Sequence, residues 1–338
     1  MTDSVEYFDA FDAQAQRRAG RRAFFKAAVV GAAAATAGSF LTATAAQAQA
    51  VTDADVLNFA LNLEYLEANF YYYAAYGIPI PATSIPGVGT AVPATVSTGA
   101  SGVVYNQGAR AVQFADASIR EYATEIANEE FAHVNFLRSA LGGAAVAQPQ
   151  LDVGIDPNGA FSTFARAAKL IGPTTAAAPT FFDPYANDVT FLYGAFGFED
   201  VGVTAYKGAS PLLTTPAYLD AAAGILAAEA YHAAIVRLTL DQLGVATPTI
   251  RTDIEALSNA RDSVDGSVDD DQGIQRSTTA IGLTSNIVPT DSNGLAYSRT
   301  TGQVLNIVYL NTTGKAATGG GFFPNGTNGS IKSSTANG

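Results

Sequence analysis

The sequence predicts an all-α core: an antiparallel four-helix bundle with a loop-rich insertion and a polar, partly extended C-terminal appendage. Two observations carry that expectation. Four long segments read as helices, and the only two histidines each lie three residues after a glutamate, in Glu130-Phe131-Ala132-His133 and Glu229-Ala230-Tyr231-His232. That spacing sets a carboxylate and an imidazole on one helical face, about one turn apart. It is the pattern by which two helices of a four-helix bundle hold a pair of metal ions. Glutamate is scarce, with 10 in 338 residues, so two such coincidences are hard to assign to chance.

The first helix spans Thr52 to Tyr76. Asp53 or Asp55 can cap its start, Val56, Phe59, Leu63, Leu66 and Phe70 recur at helical spacing, and Gly77-Ile78-Pro79 stops it. Residues 77–104 are rich in Pro, Gly, Ser and Thr and lack charge, which reads as a long ordered insertion. A second helix is expected from about Asn106 to Leu141, ended by Gly142-Gly143. Residues 142–187 are Ala/Pro-rich, with a short helical piece at Phe161–Leu170. The third helix, about Val189 to Gly208, contains Gly194, Gly197 and Gly202. Each glycine costs roughly 1 kcal/mol against Ala, and small residues there permit close helix approach. The fourth helix, about Pro216 to Leu243, is Ala-rich and closed by Gly244. Residues 245–338 are polar, with an acidic run at Asp269-Asp270-Asp271 and one strand-like run, Val304–Leu310. This tail is read as wrapping the bundle or reaching a neighbouring copy in a homo-oligomer.

Composition narrows the function. Hydrophobic residues make up 48% of the chain and charged residues 14%, which describes a globular protein with a sizeable core. A net charge of -12 argues against a nucleic-acid partner, since nothing would neutralise phosphates. With no cysteine there is no disulfide, iron–sulfur cluster or thiolate site, so a metal must take nitrogen and oxygen ligands.

The N-terminus reads as an export signal over residues 1–50. Gly20-Arg21-Arg22-Ala23-Phe24-Phe25-Lys26 is a twin-arginine pattern, and an Ala/Val-rich run from Ala27 to Ala46 follows. Small-x-small cleavage options end it at Ala46-Gln47-Ala48 and Ala48-Gln49-Ala50. A membrane anchor is the competing reading, but the run is only weakly apolar. The expectation is a Tat-exported periplasmic or extracellular protein, starting near Val51 and not inserted in the membrane after cleavage.

A dinuclear carboxylate site needs one further inward Glu from each of the other two helices. Helix three offers Glu199, its only glutamate; helix one offers Glu64 and Glu67. Tyr206 follows Glu199 by seven residues, and Tyr71 follows Glu64 by seven, two helical turns on the same face. Glu67 has Ala74 at that position, which favours Glu64. The candidate ligands are therefore Glu64, Glu130, His133, Glu199, Glu229 and His232, with Tyr71 and Tyr206 behind them. Four carboxylates and two imidazoles suit two Fe or two Mn ions. Glu121, Glu125 and Glu129 form a separate stripe, read as a solvated face.

The run from Leu57 to Tyr71, with Asn128-Glu129-Glu130-Phe131-Ala132-His133-Val134-Asn135-Phe136-Leu137, resembles bacterial Tat-exported ferritin-like proteins related to plant desiccation-related proteins. The resemblance covers roughly residues 52–243, and the tail near 287–310 shares it. It implies a ferritin-like bundle over 51–244 with Glu130 and Glu229 as bridging carboxylates. Glu64, Glu199, His133 and His232 would be terminal ligands. There is no cysteine ribbon for electron transfer, and the insertions differ from those of cage-forming ferritins.

Three functions follow as expectations. The first is a dinuclear Fe or Mn protein reacting with peroxide or O2 in oxidative or desiccation stress. The second is a non-catalytic desiccation-protective protein whose metal serves only structure. The third is metal sequestration.

Overall fold

The structure, a computed structural model, describes residues 51–279 and 282–336. The twin-arginine segment and the cleavage options lie outside the described residues. Helix α1, Asp53–Tyr76, opens on a capping box in which the Thr52 and Asp55 side chains each bond the other's backbone N–H. It ends on Gly77 at φ 74°, the left-handed conformation glycine adopts without strain. Seventeen of its residues are buried, on every face, so α1 runs through the middle of the molecule.

Helix α2, Ala117–Leu141, starts later than the sequence reading placed it. Asp116 accepts from the Ser118 and Ile119 N–H groups and sets the start. Upstream, Asn106 at φ 58° and Gly108 at φ 72° turn the chain, and the Asn106 side chain donates to Thr95 and Leu151 carbonyls. Those bonds tie the insertion to a buried extended run, residues 145–153. The insertion itself carries a small antiparallel pair, β1 Ser97–Thr98 and β2 Val104–Tyr105. A short helix, α3, covers Ala160–Ala167.

Helix α4, Asp188–Ala209, is buried almost all round, and its glycines admit the close neighbours that a Cβ would meet. Gly194 faces Phe70, Gly197 faces Phe164, and Gly202 faces the Glu229 carboxylate. Helix α5 spans Pro216–Ala246, with proline at its start where no intrahelical donor is lost. It is also the one helix among the described residues long and apolar enough to cross a membrane. Its inward face, however, carries Glu229, His232, Arg237 and Asp241, all buried against the other helices.

These four long helices form the bundle. Tyr76 of α1 meets Asn128 of α2, and Tyr65 meets Arg138, so the two run antiparallel. In the second pair, Gly202 of α4 abuts Glu229 of α5 and Asp200 meets Arg237, again antiparallel. The pairs join mainly through α1 and α4, whereas α2 and α5 approach each other little. Across the wider seam between α2 and α5, long side chains make the contact, Glu129 with His232 and Tyr122 with Thr239.

The C-terminal part departs from the sequence reading in two places. Thr249–Asp265 is a helix, α6, whose buried Ile250, Ile254, Leu257, Arg261 and Val264 follow helical spacing. The strand-like run is instead a helix, α7, Thr301–Val308, started by a Thr300/Gln303 capping box. A short apolar run cannot by itself tell strand from helix; the cap decides. The remaining strands are an antiparallel pair, β3 Ser277–Thr279 and β4 Gly282–Thr284. The tail then packs Phe322 on Phe161 and Phe198, with ring centroids 5.1 and 4.9 Å apart.

Candidate metal centre

All six candidate ligands converge at mid-bundle, each long helix sending at least one inward. Their donor atoms form two overlapping groups, Glu64, Glu130, His133 and Glu229, and Glu130, Glu199, Glu229 and His232. Within each group the atoms lie within 4.8 Å of one another. Glu130 and Glu229 belong to both. The His133 Nδ1 lies 3.3 Å from Glu64, 3.6 Å from Glu130 and 3.9 Å from Glu229. On the other side, His232 Nδ1 lies 2.9 Å from Glu130 and 3.5 Å from Glu199.

Hydrogen bonding does not account for this cluster. Eight buried donor atoms have no hydrogen-bond partner: Glu64 Oε2, both oxygens of Glu130 and of Glu229, Glu199 Oε2, and Nδ1 of both histidines. Buried polar atoms are ordinarily paired, because an unpaired one costs roughly 1–3 kcal/mol and more when charged. Here oxygens of four carboxyl groups and the Nδ1 atoms of two imidazoles converge on common space. Donors on one ion with bonds of about 2.0–2.2 Å lie about 3–4 Å apart, the range of the His–Glu separations above. The nitrogen and oxygen donor set suits Fe or Mn, so the residues present fit a metal.

The electrostatics agree. Burial pushes the Glu64 carboxyl up to about 7, and burial raises Glu199 and, further, Glu229. Burial also acts against Glu130, but the two imidazoles outweigh it and hold that carboxyl below its ordinary value. Although burial opposes it, the surrounding carboxylates lift His133 to about 10 and His232 to about 12. Without a cation the cluster keeps protons on its carboxyls and imidazoles; ionising all four carboxyls this deep in the protein requires positive charge at its centre.

The tyrosines behave differently from the sequence expectation in one respect. Each shares a helix face with its own glutamate, yet each bonds the glutamate of the other helix pair. Tyr71 donates to Glu199, and Tyr206 donates to Glu64. Both phenols are buried, and burial with the adjacent carboxylate raises them well above the ordinary value, so they act as donors.

Two residues were not assigned to the site from sequence. Glu67 is a fifth buried carboxylate, outside both donor groups, raised by burial and then by Glu130 and Glu199. Its inward position was visible in helix periodicity, three residues from Glu64. Glu129, read as part of the solvated stripe, instead accepts at 2.7 Å from His232 Nε2. That contact crosses between helices, and helix periodicity within α2 carries no sign of it.

Residues 52–242 match the profile of the ferritin-like domain family. The chain is similar to desiccation-related protein PCC13-62 of Craterostigma plantagineum, 31% identical over 259 residues, covering 74% of this chain and 75% of that protein. It is also similar to ferritin-like catalase Nec2 of Nesocodon mauritianus, 27% identical over 289 residues, covering 82% and 84%. No solved structure matches the chain.

Proposed function

This chain belongs to the ferritin-like domain family, and from that premise we propose that it is an exported stress-protection oxidoreductase that holds two Fe or two Mn ions and disproportionates peroxide or reacts with O2. The observation that carries this reading is the set of eight unpaired buried donor atoms shared among Glu64, Glu130, His133, Glu199, Glu229 and His232. Four carboxylates neutralise two divalent ions. When bound, a pair of ions supplies Lewis acidity and reversible one-electron steps to an oxygen–oxygen bond.

The chain's own residues set the conditions for that chemistry. Glu130 and Glu229, common to both donor groups, would be shared by two ions. Tyr71 and Tyr206 take one oxygen each of Glu199 and Glu64 and leave the other for the centre. The glutamates are essentially inaccessible, while the His133 side chain is 13% exposed. That partly exposed edge is the route this reading assigns to a small oxidant, peroxide or O2. Disproportionation needs no external reductant, in keeping with a chain that has no cysteine for an electron-transfer cluster. Similarity to a ferritin-like catalase supports the peroxide reaction. The twin-arginine pattern at Arg21-Arg22 supports export outside the cytoplasm of a chain that is folded and loaded first.

Similarity to a desiccation-related protein supports a second reading, in which the metal only stabilises the bundle. Peroxide turnover separates the two. Protein loaded with Mn or Fe is expected to evolve O2 from hydrogen peroxide, and Glu229→Gln to lose that activity. Two bound ions with no turnover of peroxide or O2 would leave the structural role. Loading well beyond two ions per chain would point to sequestration.

A further inference from the structure

The centre is built with approximate two-fold symmetry, broken by Glu67, whose counterpart on α4 is Gly202, and by the outer side of the histidines. Tyr71 with Glu199 mirrors Tyr206 with Glu64, and Glu130-x-x-His133 mirrors Glu229-x-x-His232. Each histidine turns Nδ1 inward. On the outward side they differ. His232 Nε2 lies 2.7 Å from a carboxylate oxygen of Glu129, and its side chain is 2% exposed. The residue matching Glu129 across the pseudo-axis is Ala228, one position before Glu229. A methyl group cannot accept a hydrogen bond, and no described protein group bonds His133 Nε2.

We propose that Glu129 is a positioning residue for His232, and that its one-sided presence makes the two metal positions unequal. By accepting from Nε2–H, Glu129 keeps the proton on the outer nitrogen and commits the Nδ1 lone pair to the centre. Such carboxylate–histidine pairs orient the ring and raise its basicity, and their loss typically costs about 10–100-fold in metal affinity. The Glu199/His232 position is therefore the tight, permanent one. The Glu64/His133 position lacks this support and lies on the more open side, so it binds more weakly, exchanges first and is where a small oxidant enters. This inference rests on the dinuclear reading above.

The test is titration of metal-free protein with manganese(II) chloride, followed by calorimetry and by the electron paramagnetic resonance of free and bound ion. Wild type is expected to bind two ions in two resolved steps. In Glu129→Ala the tighter step weakens by about 10–100-fold, and the steps merge. Glu129→Gln, whose amide oxygen still accepts from Nε2–H, restores part of the loss, which a merely structural role would not do. Ala228→Glu supplies the missing acceptor and is expected to strengthen the weaker step. Glu129 is about half exposed, so its variants keep the fold, as thermal unfolding of the metal-free protein checks. Equal affinities in wild type, or two steps unchanged in Glu129→Ala, would overturn the inference while leaving two-ion binding intact. Fewer than two ions in wild type would overturn the dinuclear reading itself.

Discussion

At the scale of single residues, the crossed tyrosines make a symmetric expectation. Tyr71→Phe strips a donor from Glu199, and Tyr206→Phe strips one from Glu64. Each leaves a buried oxygen unpaired and is expected to cost about 1–3 kcal/mol in urea unfolding of the metal-free protein. Unequal losses, with one variant at wild-type stability, would contradict the crossed arrangement. The buried carboxylates also set a pH dependence. Glu64, raised to about 7 from 4.5, and the raised Glu199 and Glu229 hold protons in the folded state that the unfolded chain has released. Groups raised on folding favour the folded state at low pH, so metal-free stability falls as pH climbs from about 4.5 toward 7. Glu130, lowered on folding, is ionised in both states above 4.5 and adds no slope in this window. Bound cations hold these groups ionised and release the penalty. The gap in melting temperature between loaded and metal-free protein is therefore expected to widen with pH across that window. The six converging residues were legible because glutamate is rare in this chain and each histidine repeats the same offset. The crossing of the tyrosines was not, since heptad spacing gives a shared face without saying which carboxylate lies across from it.

At the scale of elements, α4 is held by what its glycines and Asp200 admit. A Cβ at Gly202 would run into the Glu229 carboxylate, and one at Gly208 into the Arg299 carbonyl. Gly202→Ala is thus expected to lower metal content with the bundle intact, read by metal analysis beside far-UV circular dichroism. Next to Glu199, Asp200 anchors an ion network that is almost wholly buried. It pairs with Arg237 at 2.7 Å and Arg261 at 3.1 Å; Arg261 and Arg299 share Asp271, and Arg299 takes Asp265 at 2.6 Å. Arg299 also donates to Thr204 of α4, so the segment before α7 is fastened to the bundle. Arg299→Ala leaves two buried aspartates short of a partner and is expected to cost about 3–5 kcal/mol in urea unfolding. A loss within error would mean that the network is solvated. The bundle helices were legible from apolar spacing, but their ends were not. Thr52 caps α1 in place of Asp53 or Asp55, Asp116 starts α2, and α5 runs past Gly244 to Ala246. Helices α6 and α7 were hidden by composition. Averaged over residues 245–338, polar loops mask the apolar period from Ile250 to Val264 and the Thr300/Gln303 cap.

At the scale of the whole molecule, the C-terminal part is integral to the core around the centre. Phe322 closes on Phe161 and Phe198, Asn328 exchanges hydrogen bonds with Asn62 of α1, and Arg237 reaches the carbonyls of Gln272, Gly273, Asn286 and Ile287. A chain ending at Ala246 strands the Arg237 guanidinium and uncovers the aromatic face. It is expected to lose its near-ultraviolet circular dichroism and cooperative unfolding; a cooperative, metal-binding truncation would show that the tail is dispensable. That the tail wraps the bundle agrees with the sequence reading, but the buried arginines that fasten it carry no sequence signature beyond their number. The central claim is that the buried glutamates and histidines exist to hold a pair of metal ions. Its most direct test is metal content per chain in protein purified from its own cells, wild type beside Glu130→Ala/Glu229→Ala. About two Fe or Mn per wild-type chain, lost in the double variant, is the expected result. No stoichiometric transition metal in the wild type, or the same content in both, would contradict it.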